Sequence, residues 1–201
     1  MATFEELVAQ YSQAEGQAKS VNDLKRIEAQ LWDKYGVEQA VLVLDMAGFS
    51  RLTQTHGVVH YLSMIYRMHR AVEQPVRRYG GSIVKFEADN MFARLPSTEA
   101  AIFLATEINH TLSGMNMMTP PELDVHVSIG IAFGKFLLVR EKDLFGDPVN
   151  MASKLGEDLA GPGEILVTDD AMKLVPSGKF NSDKVSYKVS RSSVEVHRIK
   201  F

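Results

Sequence analysis

Two acidic residues stand where alternating strands and turns put carboxylates to use. Asp45 closes the apolar run Ala40-Val41-Leu42-Val43-Leu44, and the turn behind it, Met46-Ala47-Gly48-Phe49-Ser50, leads toward a helix. Backbone N–H groups exposed in such a turn, with Gly48 allowing close approach, form a cradle for phosphate. Asp89 stands at the turn of the next strand pair, SIVKFEADNMFARL, where pairing of neighbouring strands would bring it near Asp45. Two adjacent carboxylates repel unless something cationic lies between them, and a pair that also shares phosphate oxygens suits one or two Mg²⁺ ions. Taken singly, either acid reads more readily as a turn or capping residue, so the combination needs further support.

The elements that must position these groups follow from the periodicity. Residues 3–36 carry sparse apolar positions at helical spacing (Phe4, Leu7, Val8, Tyr11, then Leu24, Ile27, Leu31, Trp32), which predicts two short helices broken near Ser20 to Asn22. The run through Asp45 reads as a strand buried on both faces. A helical pattern follows from about Val58 to Tyr79 (Leu62, Ile65, Met68, Val72, Val76), bent by Pro75 and ended by Gly80-Gly81. Two strands joined at Asp89-Asn90, a helix over Thr98 to Leu112 with Ser97 as cap, and a strand, Gly134 turn and strand in DVHVSIGIAFGKFLLV come next. DPVNMASKLGEDLA is an amphipathic helix with Asp147 as cap and Pro148 at its first position. A strand, a short helix and a final hairpin complete the chain. That order predicts an α+β, ferredoxin-like fold, an antiparallel-rich sheet with helices on one face, preceded by an N-terminal helical extension over 1–36 and with the main domain over 37–201.

Composition narrows the function classes. The 201 residues are 45% apolar and 23% charged, the balance of a globular chain. A formal charge of −3 argues against nucleic acid as partner, though a small anionic ligand needs only a few local cations. Cysteine is absent, which excludes disulfides and cysteine-ligated metals and fits a reducing compartment. The start carries neither the basic flank nor the apolar stretch of a secretory signal, and no apolar run is long enough to span a bilayer. The expectation is a cytoplasmic chain without membrane insertion. The six histidines are scattered, and His56 and His60, which share a helical face, read as surface residues.

LDMAGFS resembles the metal-binding signature of class III adenylate and guanylate cyclases, an apolar strand ending in Asp and then a Gly-Phe-Ser/Thr turn. KFEADNMFA resembles the second signature, with a Lys four residues before the second metal Asp, and DLFGDPVNMASKL the third. The resemblance runs over about residues 38–199, and three ordered motifs are far more specific than one. It implies that Asp45, Asp89 and the Met46 carbonyl hold two Mg²⁺ or Mn²⁺ ions per site, with Gly48, Phe49 and Ser50 in the phosphate turn. It implies that Lys85 and Asp143 read the base, the Lys donating to an adenine ring nitrogen and the carboxylate accepting from the exocyclic amine, which suits ATP. Asn150 corresponds to the residue that orients the ribose, and Lys154 stands where the family carries Arg against the α-phosphate. Arg191, or Lys188, is the candidate for the terminal phosphates. A homodimer follows from the resemblance, because the family builds each site from two subunits.

Three positions depart from the family pattern. Lys154 offers a point charge where Arg offers a planar fork. Ala88 precedes the metal Asp where Gly is usual, and the stretch between Lys135 and Asp143 is short for the hairpin arm that crosses the dimer. These departures keep open a catalytically silent or weak cyclase-like module that binds nucleotide or pairs with another chain. A cyclic-dinucleotide synthase of the GG(D/E)EF type, suggested by Gly80-Gly81, fits poorly because Ser82 and Ile83 follow in place of acids. An interaction domain that recruits a partner through its N-terminal helices is the third reading.

Overall fold

The computed structural model describes residues 2–16, 21–48, 57–189 and 192–201. Two helices, α1 (Phe4–Gly16) and α2 (Val21–Tyr35), lead into β1 (Gly36–Met46). Then come α3 (Val58–Arg78), β2 (Ser82–Glu87), β3 (Asn90–Leu95), α4 (Thr98–Asn116), β4 (Val127–Val139) and β5 (Asp143–Phe145). The chain continues through α5 (Asp147–Ser153), which runs on as a π-helical turn over Lys154–Leu159, β6 (Ile165–Thr168), α6 (Asp169–Met172), β7 (Asn181–Val189) and β8 (Ser192–Lys200).

Among the described residues the strands form one sheet in the order β2-β3-β1-β4-β6-β8-β7, with β5 paired to β4 off that path. Among the described residues only the β4–β6 pairing is parallel. β1 is central because its sequence has no polar face to offer water. Ala40, Leu42, Leu44 and Met46 point into one core with α3 and α4, while Val41 and Val43 enter a second core with Ala132, Phe136, Val149 and Ala152. The two long helices share one face, as the sequence predicts, and α5 lies against the other. Gly130 makes that seat possible, since a Cβ there would stand 2.1 Å from the Ala152 carbonyl oxygen. Gly156 lets the π turn settle on β1 in the same way, with a virtual Cβ 2.8 Å from the Val43 carbonyl oxygen.

Several local expectations shift, by one residue to about six, each for a physical reason. Gly134 does not turn the chain: β4 pairs with β1 over eleven residues, from Gly36 opposite Leu137 to Met46 opposite Val127, and this long ladder carries β4 straight through it. The hairpin comes later, where Arg140 and Glu141 take φ of 53° and 54°. The strand pair before it turns at Ala88-Asp89, with Asn90 already in β3. In α5 the N-cap is Gly146, and Asp147 opens the helix. The buried stripe of α3 passes through Tyr61, Met64, Ile65, Met68, Val72 and Val76, leaving Leu62 exposed. Ser97 does cap α4, accepting from the Ala100 N–H at 3.1 Å, and that helix extends to Asn116.

α1 and α2 fold back on each other around Leu7, Ala14, Ile27 and Leu31. They are also fastened to the sheet, as Phe4 stacks on Phe145 at 5.8 Å and Glu5 pairs with Arg140 at 3.0 Å.

Candidate active site

β1 and β3 run antiparallel with Leu44 opposite Met91. Continued past its last pair, that register sets Asp45 and Asp89 at the same end of neighbouring strands. Their charges meet. Asp45, half-buried, is pushed up to about 7 from the usual carboxylate value of 3.8, first by burial and then by Asp89 and Glu157, against a hydrogen bond from the Met46 backbone. Glu157 reaches the pair from the π turn and is itself raised, by partial burial first and then by Asp158, Glu87 and Asp89, with a Ser153 hydrogen bond opposing. Tyr61 of α3 comes from the other side. Burial holds its phenol well above the ordinary value, and the negative charge of Asp89 beside it adds to that.

Burial raises a carboxylate because it disfavours the charged form, and the negative charges of Asp89 and Glu157 add to that. The donor set of two carboxylates with the Met46 backbone beside them has the hard-oxygen chemistry of Mg²⁺ or Mn²⁺. Among the described residues no cluster of three or more His, Asp or Glu side chains has metal-binding geometry, so the fit rests on this pair and the main chain. Gly48 follows with φ of 85°, a left-handed conformation that glycine adopts without strain.

Ala88 takes φ of 53° in the turn before Asp89. The departure noted in the sequence is therefore tolerated at a backbone cost, since an L-residue in that region is disfavoured by about 1–2 kcal/mol.

A second group lies on the strand leading to that turn. Lys85 Nζ bonds Asp143 Oδ1 at 3.1 Å and Glu87 Oε2 at 2.9 Å, and lies 4.8 Å from the centre of the Phe92 ring. Partial burial works against its charge, but the bonds to Glu87 and Asp143 outweigh that and raise it. Asp143 is oriented by its own strand, its Oδ1 accepting from the Leu144 N–H at 2.9 Å. β5 is in turn held down, because Arg94 ties Glu141 in the β4–β5 turn at 2.8 Å and Gln39 on β1 at 3.1 Å.

The third motif lies on α5. Asn150 is exposed, and Lys154, at the start of the π turn, pairs with Asp158 one turn on at 2.9 Å. Neither side chain bonds Asp45, Asp89, Lys85 or Asp143 within its own chain. Phe49, Ser50, His56 and Arg191 lie outside the described residues; Lys188 sits near the end of the β7–β8 hairpin, opposite Ser193. The structure thus gathers Asp45 with Asp89, and Lys85 with Asp143, and keeps Asn150 and Lys154 apart from both.

Three participants escaped the sequence reading. Tyr61 had a signal in its spacing of four, three and four to Ile65, Met68 and Val72, although an aromatic in a core stripe announces only packing. Glu157 had none, because Asp45 and Asp89 come from distant segments, whereas Glu87 had one in its spacing of two from Lys85 on a strand.

Paired strand-end carboxylates and a lysine–carboxylate couple thus lie on the strands of an α+β domain. The chain belongs to the adenylate and guanylate cyclase catalytic domain family, whose model matches residues 33–197. It is 30% identical to an adenylate/guanylate cyclase/hydrolase from Silicibacter pomeroyi of known structure, with a TM-score of 0.68 over 82% of this chain and 96% of that one. The adenylyl cyclase CyaB from P. aeruginosa shares the fold, with a TM-score of 0.71 at 18% identity over 83% of this chain and 96% of that one. A putative adenylate cyclase 3 of Rhizobium meliloti (strain 1021) is 27% identical over 130 residues, 65% of this chain and 22% of that protein. Uncharacterized proteins of Mycobacterium match at 27% over 132 residues, 66% of this chain and 33% of theirs. The chain therefore spans about a fifth to a third of the curated relatives it matches.

Proposed function

We propose that this domain is an adenylate cyclase, converting ATP to 3′,5′-cyclic AMP and pyrophosphate in a homodimer with two equivalent sites. The observation that carries the reading is the Lys85–Asp143 couple, a donor and an acceptor side by side at 3.1 Å. Adenine offers a ring-nitrogen acceptor beside an amine donor, the complement of that couple.

Asp45, Asp89 and the Met46 carbonyl would hold two Mg²⁺ or Mn²⁺ ions, and the placement of two carboxylates at one end of neighbouring strands, with hard oxygen donors, supports their fit. Bound there, the ions would supply Lewis-acid stabilisation to the triphosphate and the attacking hydroxyl. Tyr61, beside Asp89, would steady that carboxylate. Gly48, in its left-handed conformation, opens the turn whose N–H groups would face phosphate, and Phe49 and Ser50 follow it in the sequence. Asn150 orients the ribose so that its 3′-oxygen stands in line with the α-phosphorus and the departing pyrophosphate. Lys154 then faces the charge that develops on the α-phosphate, provided it leaves Asp158, and Arg191 meets the terminal phosphates.

The homodimer is part of the same proposal. Asn150 is exposed, and among the described residues no hydrogen bond or ion pair joins Lys85, Asp143 or Asn150 to Asp45 or Asp89 of the same chain, which supports a seam where a second copy's Lys85, Asp143 and Asn150 complete each site. Residues 1–36 are read as an extension that braces residues 37–201. No described helix is long and apolar enough to cross a membrane; a cytoplasmic location, where ATP is abundant, is part of the proposal.

Mass spectrometry of the products formed from each of the four ribonucleoside triphosphates with Mn²⁺, over a protein dilution series, tests it. Cyclic AMP should dominate, with turnover per mole falling as dimers dissociate. Absence of any cyclic product overturns the reading.

A further inference from the structure

The Lys85 ammonium has two carboxylates where reading adenine needs one. Glu87 lies two residues along β2, so its side chain shares the Lys85 face of the strand, and it bonds the same Nζ at 2.9 Å. The second acid leaves the cluster with one negative charge and spare acceptor oxygens.

The two acids are held differently. Asp143 Oδ1 already accepts from both Lys85 and its neighbour's backbone N–H, so one oxygen of a fixed carboxyl remains for a base. That suffices for a single amine. Glu87 has the longer side chain, is 66% exposed and meets only Lys85 among the ion pairs and hydrogen bonds described. Its carboxyl can turn to present both oxygens. Phe92 beneath the ammonium keeps Lys85 in place while the acids exchange partners. β2 also shifts register against β3 between Ile83 and Lys85, an irregularity that re-aims the side chains beyond it.

Guanine differs from adenine on the edge these groups would face. It places a carbonyl acceptor beside two adjacent N–H donors, which matches one ammonium and one carboxylate accepting through both oxygens. A site with Lys85 and Asp143 alone would leave a guanine donor unpaired, and unpaired buried polar groups are the strongest basis for rejecting a ligand.

We propose that Glu87 is a second base-reading carboxylate, through which this site accepts GTP alongside ATP. This rests on the cyclase reading given above. Asp143 with Lys85 serves adenine, Glu87 with Lys85 serves guanine, and the balance between the acids sets the preference between the two triphosphates.

The test separates base reading from turnover by using 3′-deoxy-ATP and 3′-deoxy-GTP, which lack the hydroxyl needed to cyclise. Each is titrated calorimetrically into the full chain with Mn²⁺, for the native protein, Glu87→Gln and Asp143→Asn. Glu87→Gln should weaken the guanine nucleotide by about tenfold to a hundredfold, the worth of a charge-assisted hydrogen bond, and the adenine nucleotide by less than about threefold. Asp143→Asn should do the reverse, and retained binding of the other nucleotide shows that each variant is folded. If Glu87→Gln changes both affinities alike or neither, or if the native chain takes the adenine nucleotide and no guanine nucleotide, the proposal is wrong and the adenylate cyclase reading stands. If neither nucleotide binds the native chain, both fall together.

Discussion

Asp45 should weaken the empty fold, and replacing it should show how much. Its carboxyl goes from 3.8 when the chain is unfolded to about 7 when folded. Because the folded value is the higher one, the folded protein holds this proton where the unfolded chain has released it, and stability falls as pH rises from about 4 to about 7. At about 1.4 kcal/mol per pH unit the ceiling on the loss is ~4 kcal/mol. Water reaching the half-buried group lowers this to roughly 2 kcal/mol. Asp45→Asn keeps the shape and removes the charge. In urea unfolding with EDTA present, the variant should be more stable than the native protein by roughly 2 kcal/mol at pH 8. The gap should shrink steadily toward pH 4. Taking the difference between the two proteins cancels groups that titrate in both, including His69, which burial holds below its ordinary value. Mn²⁺ at pH 8 should then raise the stability of the native protein and do little for the variant, because a ligand stabilises only the state that binds it. A variant no more stable at pH 8, or a gap indifferent to pH, would refute the claim that these carboxylates are held together against their repulsion.

Two further outcomes follow from single residues. Ala88→Gly relieves the left-handed turn, worth about 1–2 kcal/mol, and loses about 0.5–1 kcal/mol to the freer unfolded chain; the denaturant midpoint should rise by the equivalent of about 0.5–1 kcal/mol, and a fall would count against the turn geometry. Phe4→Ala removes the stack on Phe145, worth roughly 1 kcal/mol, and frees the strand that carries Asp143. KM for ATP should rise more than kcat falls, and an unchanged KM would mean that the N-terminal helices are bystanders at the site.

Much of this protein is legible locally. The all-apolar Ala40–Leu44 run forces a strand with both faces covered, because no face of it gains from water. Ser97 before Thr98-Glu99 announces a capped helix, and Gly80-Gly81 a helix stop, since each depends on backbone groups within a turn's reach. The motifs around Asp45, Asp89 and Asn150 are likewise contiguous stretches, so their type and order were readable before any fold was known.

Tertiary structure decided what depends on register and on packing between distant segments. Gly134 lies in a straight strand because β1 offers β4 a long partner, which the local pattern around a glycine does not reveal. Lys85 meets Glu87 by strand periodicity, but it meets Asp143 only because the β4–β5 arm folds back onto β2. Tyr61 and Glu157 converge on the acidic pair from helices on opposite faces of the sheet, and Glu5 reaches Arg140 across most of the chain. Hydrophobic pattern and hydrogen-bond capping act over a few residues, so a single chain records them. Charge and contact act through space, so the value at which Asp45 ionises belongs to the folded neighbourhood that surrounds it.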